Sequence, residues 1–175
     1  MRSVPLPTCA GCVGFVSCFK TGLEVRGVKL SQGCRYCVWE RPRRFSGKAT
    51  NPRTPDWCPR RKNPCELRIY DFKSTRDRTM HTLFHCDTGK AAAPEPRRYA
   101  VAYEGQTKLS PRSFWLACNQ VPAVELIGQE VRRYAIVEID DGIRPYCFYK
   151  SEMRFVLLPY FKTDTARNNA MEDDA

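Results

Sequence analysis

The stretch Arg133–Tyr149, RYAIVEIDDGIRPYCFY, decides the fold class. Its first half, Arg133 to Ile139, is rich in β-branched and aromatic residues. Asp140, Asp141 and Gly142 then supply a tight reversal before Ile143 to Tyr149 returns. That pattern is a hairpin. Tyr134, Ile136 and Glu138 alternate with Ala135, Val137 and Ile139, so the side chains divide between two faces, one of them expected to be better buried. A turn at Lys150 to Glu152 leads to a third strand, Arg154 to Tyr160. The expected class is α+β, with a small antiparallel sheet carrying one or two helices and an N-terminal region held like a zinc knuckle or ribbon.

Working outward, Tyr99 to Tyr103 has the content of another short strand. Ser110 before Pro111 reads as an N-cap and first helical position, starting a helix toward Cys118 that Pro122 interrupts. Ala91, Ala92, Ala93, Pro94, Glu95 and Pro96 read as a surface loop, and Thr82 to Cys86 as an apolar strand. The polar residues 163–175 end in acids and are expected to be disordered. The expected organisation is a cysteine-rich basic region over 1–78, an α+β module over 79–162, and this tail.

Seven of the ten cysteines fall in the first 65 residues: Cys9, Cys12, Cys18, Cys34, Cys37, Cys58 and Cys65. Cys9 and Cys12, like Cys34 and Cys37, have the Cys-x2-Cys spacing that lets two thiolates reach one tetrahedral metal from a tight turn. Gly11, Gly14 and Gly33 suit turns that need positive dihedrals. The simplest zinc set is Cys9, Cys12, Cys34 and Cys37. A second grouping takes Cys34, Cys37, Cys58 and Cys65. The cysteines left over in either case could build a second site with His81, His85 or Cys86, so one zinc ion is expected, or two. In an oxidising compartment the same ten residues would instead permit five disulfides, and a single Cys-x2-Cys pair could serve thiol redox chemistry.

Pro55, Asp56, Trp57, Cys58 and Pro59 form a Pro-x-Trp-Cys-Pro string. It resembles the element that closes many short cysteine-rich proteins of bacteriophages and bacterial mobile elements, in which a Cys-x2-Cys pair and one further cysteine precede it. On that likeness Cys9 and Cys12 match the opening pair, Cys58 matches the closing cysteine, and Cys18, Cys34 or Cys37 supplies the remaining ligand. The resemblance covers about the first 60 residues. Arg60 stands where leucine is usual, and the surplus cysteines leave the set open. The likeness implies zinc binding and a phage-borne origin in a bacterial cytosol, more than an activity.

Charge is concentrated. Residues 41–78 hold twelve Lys and Arg against four Asp and Glu, in a chain of net charge +10. Arg41, Arg43, Arg44, Lys48, Arg53, Arg60, Arg61, Lys62 and Arg68 are the candidate phosphate contacts. Trp57 is the candidate stacking platform, and Trp39, Phe45 and Tyr70 are interleaved among them. The implied partner is nucleic acid or a nucleoprotein complex; an acidic protein surface is the other chemistry that fits. A tryptophan packed over a zinc turn and arginines on a solvated face would give the same composition without a polyanion partner.

Mean hydropathy is −0.51. No apolar run of about 18 residues occurs, which excludes a helical membrane span. Pro5, Pro7 and three cysteines break the segment from Val4 to Phe19, so it does not read as a secretory signal and a cytoplasmic location is expected. No phosphate-binding loop, dinucleotide fingerprint, His-Glu-x-x-His pair or nucleophile elbow is present. The remaining catalytic constellations are Cys86 beside His85 and Asp87, and the acids Glu138, Asp140 and Asp141. Neighbours on a strand point to opposite faces, and paired aspartates suit a hairpin turn. The chain is therefore expected to act by binding and not as an enzyme. The leading expectation is a zinc-stabilised nucleic-acid-binding accessory protein. The alternatives are an inhibitor or modulator of a host nucleoprotein machine, an anti-CRISPR-like or other counter-defence factor, and a thiol- or metal-dependent enzyme.

Overall fold

The computed structural model describes residues 8–9, 11–47, 50–88, 93–152 and 154–172, with the backbone alone for 85–88. The chain divides into two units, Met1–Arg61 and Lys62–Ala175. The division precedes the expected one because Cys65–Phe72, inside the basic run, is a central strand of the second unit.

The first unit is built from very short strands: β1 (Phe15–Ser17), β2 (Glu24–Val25), β3 (Val28–Lys29), β4 (Arg35–Cys37) and β5 (Arg43–Arg44). They form an antiparallel β1-β4-β5 sheet and a separate β2-β3 hairpin. The hairpin turns through Arg26 (φ 49°) and Gly27 (φ 74°), two left-handed residues whose twist matches the flanking strands. Among the described residues its core is two small clusters. Cys9, Cys37 and Phe45 pack with Phe15, while Cys18, Leu30 and Tyr36 pack with Val25, Val28, Cys34 and Val38. Apolar burial of this extent supplies only modest stability to a unit of this size.

The second unit contains β6 (Cys65–Phe72), α1 (Thr75–Thr88), a 3-10 turn at Pro96–Arg98, β7 (Tyr99–Thr107), α2 (Pro111–Ala117), α3 (Ala123–Ile127), β8 (Ile136–Asp140), β9 (Pro145–Lys150), β10 (Phe155–Leu158) and α4 (Thr163–Arg167). Its five-stranded sheet runs β10-β9-β8-β6-β7 and is antiparallel throughout. The β8-β9 hairpin pairs Glu138 with Cys147 and closes at Asp140 and Pro145. The Ser110 side chain caps α2 by accepting from the Ser113 N–H, with Pro111 opening the helix as the sequence predicts.

Three expectations change. The sheet is covered on both faces, not one. On one face Tyr70, Phe72, Ile136, Cys147 and Tyr149 pack with Tyr99, Tyr134 and Ala166; on the other, Phe114 of α2 packs on Phe148 and Phe155. Residues 82–86 belong to the helix α1, whose His81 reaches inward to Phe72, Tyr134 and Tyr149. The stretch expected to be a disordered tail forms α4. Ala166 is buried there, Arg167 bonds Glu138, and the Asn169 amide donates to the carbonyls of Pro96, Arg97 and Tyr99. Ala91 and Ala92 of the expected loop lie outside the described residues.

Candidate metal centre and basic surface

Cys9, Cys12, Cys37 and Cys58 line one small cavity in the first unit, walled by Phe15, Phe45, Trp39 and Trp57. Cys9 and Cys12 come from a tight turn, in which the Cys12 N–H donates to the Cys9 carbonyl at 3.0 Å and Gly11 takes φ 76°. Cys37 ends β4, opposite Phe15 on β1. Cys58 sits in a second turn, its N–H donating to the Pro55 carbonyl at 3.1 Å. The Arg61 side chain holds that turn by donating to the carbonyls of Pro55 (3.0 Å) and Thr54 (3.2 Å). Gly14 is not left-handed as expected; it is needed because a Cβ there would collide with the Trp39 indole.

The thiols sense one another. Burial raises the Cys9 thiol above its ordinary pKa, a hydrogen bond with Thr54 opposes this, and the nearby sulfurs of Cys58, Cys12 and Cys37 raise it further. At Cys12 burial also works against ionisation. Donation from Trp39, Gly14 and Arg60 outweighs it and brings that thiol below its ordinary value. The Trp39 Nε1–H lies 3.3 Å from the Cys12 sulfur, and the Arg60 guanidinium lies 3.9 Å away. Donors aimed at a sulfur suit a thiolate ligand, and four soft sulfurs behind an apolar wall are a donor set that fits zinc. Among the described residues, no three His, Cys, Asp or Glu side chains close tightly enough to form a ready-made metal-binding group. The four sulfurs share a cavity without converging on one centre.

The other candidate ligands lie elsewhere. Cys34 packs with Cys18 on the Leu30 and Tyr36 cluster. Cys65 is buried on β6, in the second unit. His81 is buried and bonds the Tyr149 hydroxyl at 2.9 Å. The side chains of His85, Cys86 and Asp87 lie outside the described residues. The Cys34-x2-Cys37 pair separates because β4 is extended, and residues three apart on a strand point to opposite faces. Cys58, which lines the cavity, is absent from the simplest set but present in the second grouping and in the Pro-x-Trp-Cys-Pro likeness.

The candidate phosphate contacts also sort themselves. Arg41, Arg43, Arg44, Arg53 and Arg60 are exposed in the first unit and make no ion pair among the described residues. The Arg43 guanidinium lies over the Trp57 ring at 5.4 Å and that of Arg60 over Trp39 at 5.9 Å. Trp57 also packs on Phe45. In the second unit Lys62 pairs with Glu66, and Arg68 with Glu66, Glu104 and Glu138. Those two charges are neutralised locally. Lys48 lies outside the described residues. Met1–Arg61 holds twelve Lys and Arg against three Asp and Glu, nine of the chain's ten net positive charges.

The acids considered for catalysis have structural partners. Glu138 is fully buried and bonds the Tyr70 hydroxyl, Arg167 and Arg68. Asp140 and Asp141 accept from the N–H groups of Gly142 and Ile143 in the hairpin turn. No helix among the described residues is long and apolar enough to cross a membrane. No family model, curated protein or solved structure matches the chain.

Proposed function

We infer that the first unit is a zinc-stabilised nucleic-acid-binding module. Cys9, Cys12, Cys37 and Cys58 would hold the ion, and Arg43, Arg44 and Arg60 would contact phosphate. The observation that carries the reading is the stacking of Arg43 and Arg60 on the two tryptophans that roof the cysteine cavity. A guanidinium resting on an indole is preorganised, so less side-chain freedom is lost when its N–H fork meets a phosphate. Zinc, when bound, supplies folding free energy and no reaction. The aromatic walls bury Cys9, Cys37 and Cys58 and half-bury Cys12, and the Trp39 and Arg60 donors would offset thiolate charge.

The test is fluorescence anisotropy with labelled single-stranded and duplex oligonucleotides between about 50 and 200 mM salt. The unaltered protein should lose affinity steeply with salt. Replacing Arg43, Arg44 and Arg60 by Ala should flatten that dependence by about one unit of slope per lost contact. An unchanged slope, or a partner captured from lysate that survives nuclease treatment, turns the reading toward a protein target. Arg61 and Lys62 are the internal comparison, since their charges are used within the fold.

A further inference from the structure

Two cysteines of the first unit stand outside the cysteine cavity, at adjoining strand ends. Continuing the β1-β4 register past Ser17 and Arg35 brings Cys18 opposite Cys34. The Cys18 N–H donates to the Cys34 carbonyl at 2.9 Å, and the Gly33 N–H donates to the Cys18 carbonyl at 2.8 Å. Gly33 and Cys34 together oppose the single residue Cys18. This is a bulge whose first position is left-handed, and Gly33 meets it with φ 74°. Both thiols pack on the same apolar cluster. Opposed residues of an antiparallel pair have Cα atoms about 4.5–5.5 Å apart, inside the range of about 4.4–6.8 Å that disulfides span.

We propose that Cys18 and Cys34 form a reversible disulfide, a redox site separate from the metal ligands, with a small disulfide of the oxidised-glutathione type as oxidant. Burial sets the order of events. Cys34 is half-buried and reachable, whereas Cys18 is 1% exposed, its Sγ–H donating to the Lys20 carbonyl at 3.2 Å. Cys34 loses its proton to solvent and attacks one sulfur of the small disulfide, giving a mixed disulfide and one released thiolate. Cys18 then loses its proton and attacks the Cys34 sulfur, breaking the bond to the small molecule and releasing the second thiolate. The cysteines give up two electrons, and the small disulfide becomes two thiols. The new bond fastens one end of the β1-β4 pair, whose other end carries Cys37. It tightens the support of the cavity without using a ligand.

The full chain, purified without chelator, is incubated with oxidised glutathione, blocked with an alkylating reagent and digested with trypsin, which cuts after Arg35 and so separates Cys34 from Cys37. The expected product is a Cys34 peptide joined to the peptide carrying Cys18, with fragmentation placing the bond at Cys18. In Cys18→Ser, Cys34 should retain one glutathione. Glutathione persisting on Cys34 in the unaltered chain, a Cys34 bond to Cys9 or Cys12, or a Cys34 that remains fully alkylated overturns the proposal. Zinc measured in the same samples separates the two readings. Retained zinc without the bond defeats only the redox pair, and the bond without zinc defeats only the metal centre.

Discussion

At Gly14 a single methyl group would strike the Trp39 indole, and Trp39 is the residue whose N–H points at the Cys12 sulfur. Gly14→Ala should therefore expose the cavity while leaving every cysteine in place, read as faster zinc loss to a chromogenic chelator with an unaltered thiol count. Cys34 and Cys37 give a sharper contrast. Cys37→Ser should abolish stoichiometric zinc by elemental analysis, and Cys34→Ser should keep it; the reverse pattern would restore the set built from two Cys-x2-Cys pairs. Sequence spacing could expose the Cys9 and Cys12 turn because residues three apart converge when the backbone turns. It is silent on the second pair, where Arg35–Cys37 is a strand fixed by pairing with Phe15–Ser17 and the two cysteines join different clusters.

Among the elements, the β8-β9 hairpin was legible because its period and its Asp-Asp-Gly turn agree. The helix α1 was not, since its outer face carries Met80, Leu83 and Phe84, each more than half exposed, and its inner face carries His81. That inverts the usual amphipathic pattern. The strand β6 was hidden by Arg68, whose charge belongs to an internal network with Glu66, Glu104 and Glu138. This network yields a prediction about β8 and α4 together. Glu138→Ala leaves Arg68, Arg167 and the Tyr70 hydroxyl facing a buried gap, and should destabilise the second unit by about 3–5 kcal/mol in urea unfolding. Replacing Glu138 and Arg167 together by Leu should be milder, because no uncompensated charge remains.

For the molecule as a whole, the division at Arg61 and Lys62 separates two kinds of stability. Among the described residues the first unit has small apolar clusters that include cysteines, and the second has aromatic and aliphatic layers either side of a five-stranded sheet. Calorimetry should show two transitions. A strong chelator should remove the first and leave the second within a few degrees of its original position; one transition that moves as a whole would contradict this. The network around Glu138 also fixes an order in time. Arg68 and Glu138 are 70 positions apart, and Tyr70 and Arg167 are 97 apart. During synthesis, β6 must therefore wait for a partner made much later, with its edges open to wrong pairings. The four cavity cysteines lie between positions 9 and 58, ahead of every strand of the second unit. On the proposed reading the two units therefore answer to different insults: scarcity of zinc would act on the first unit, and loss of the segment that carries Arg167 would act on the second.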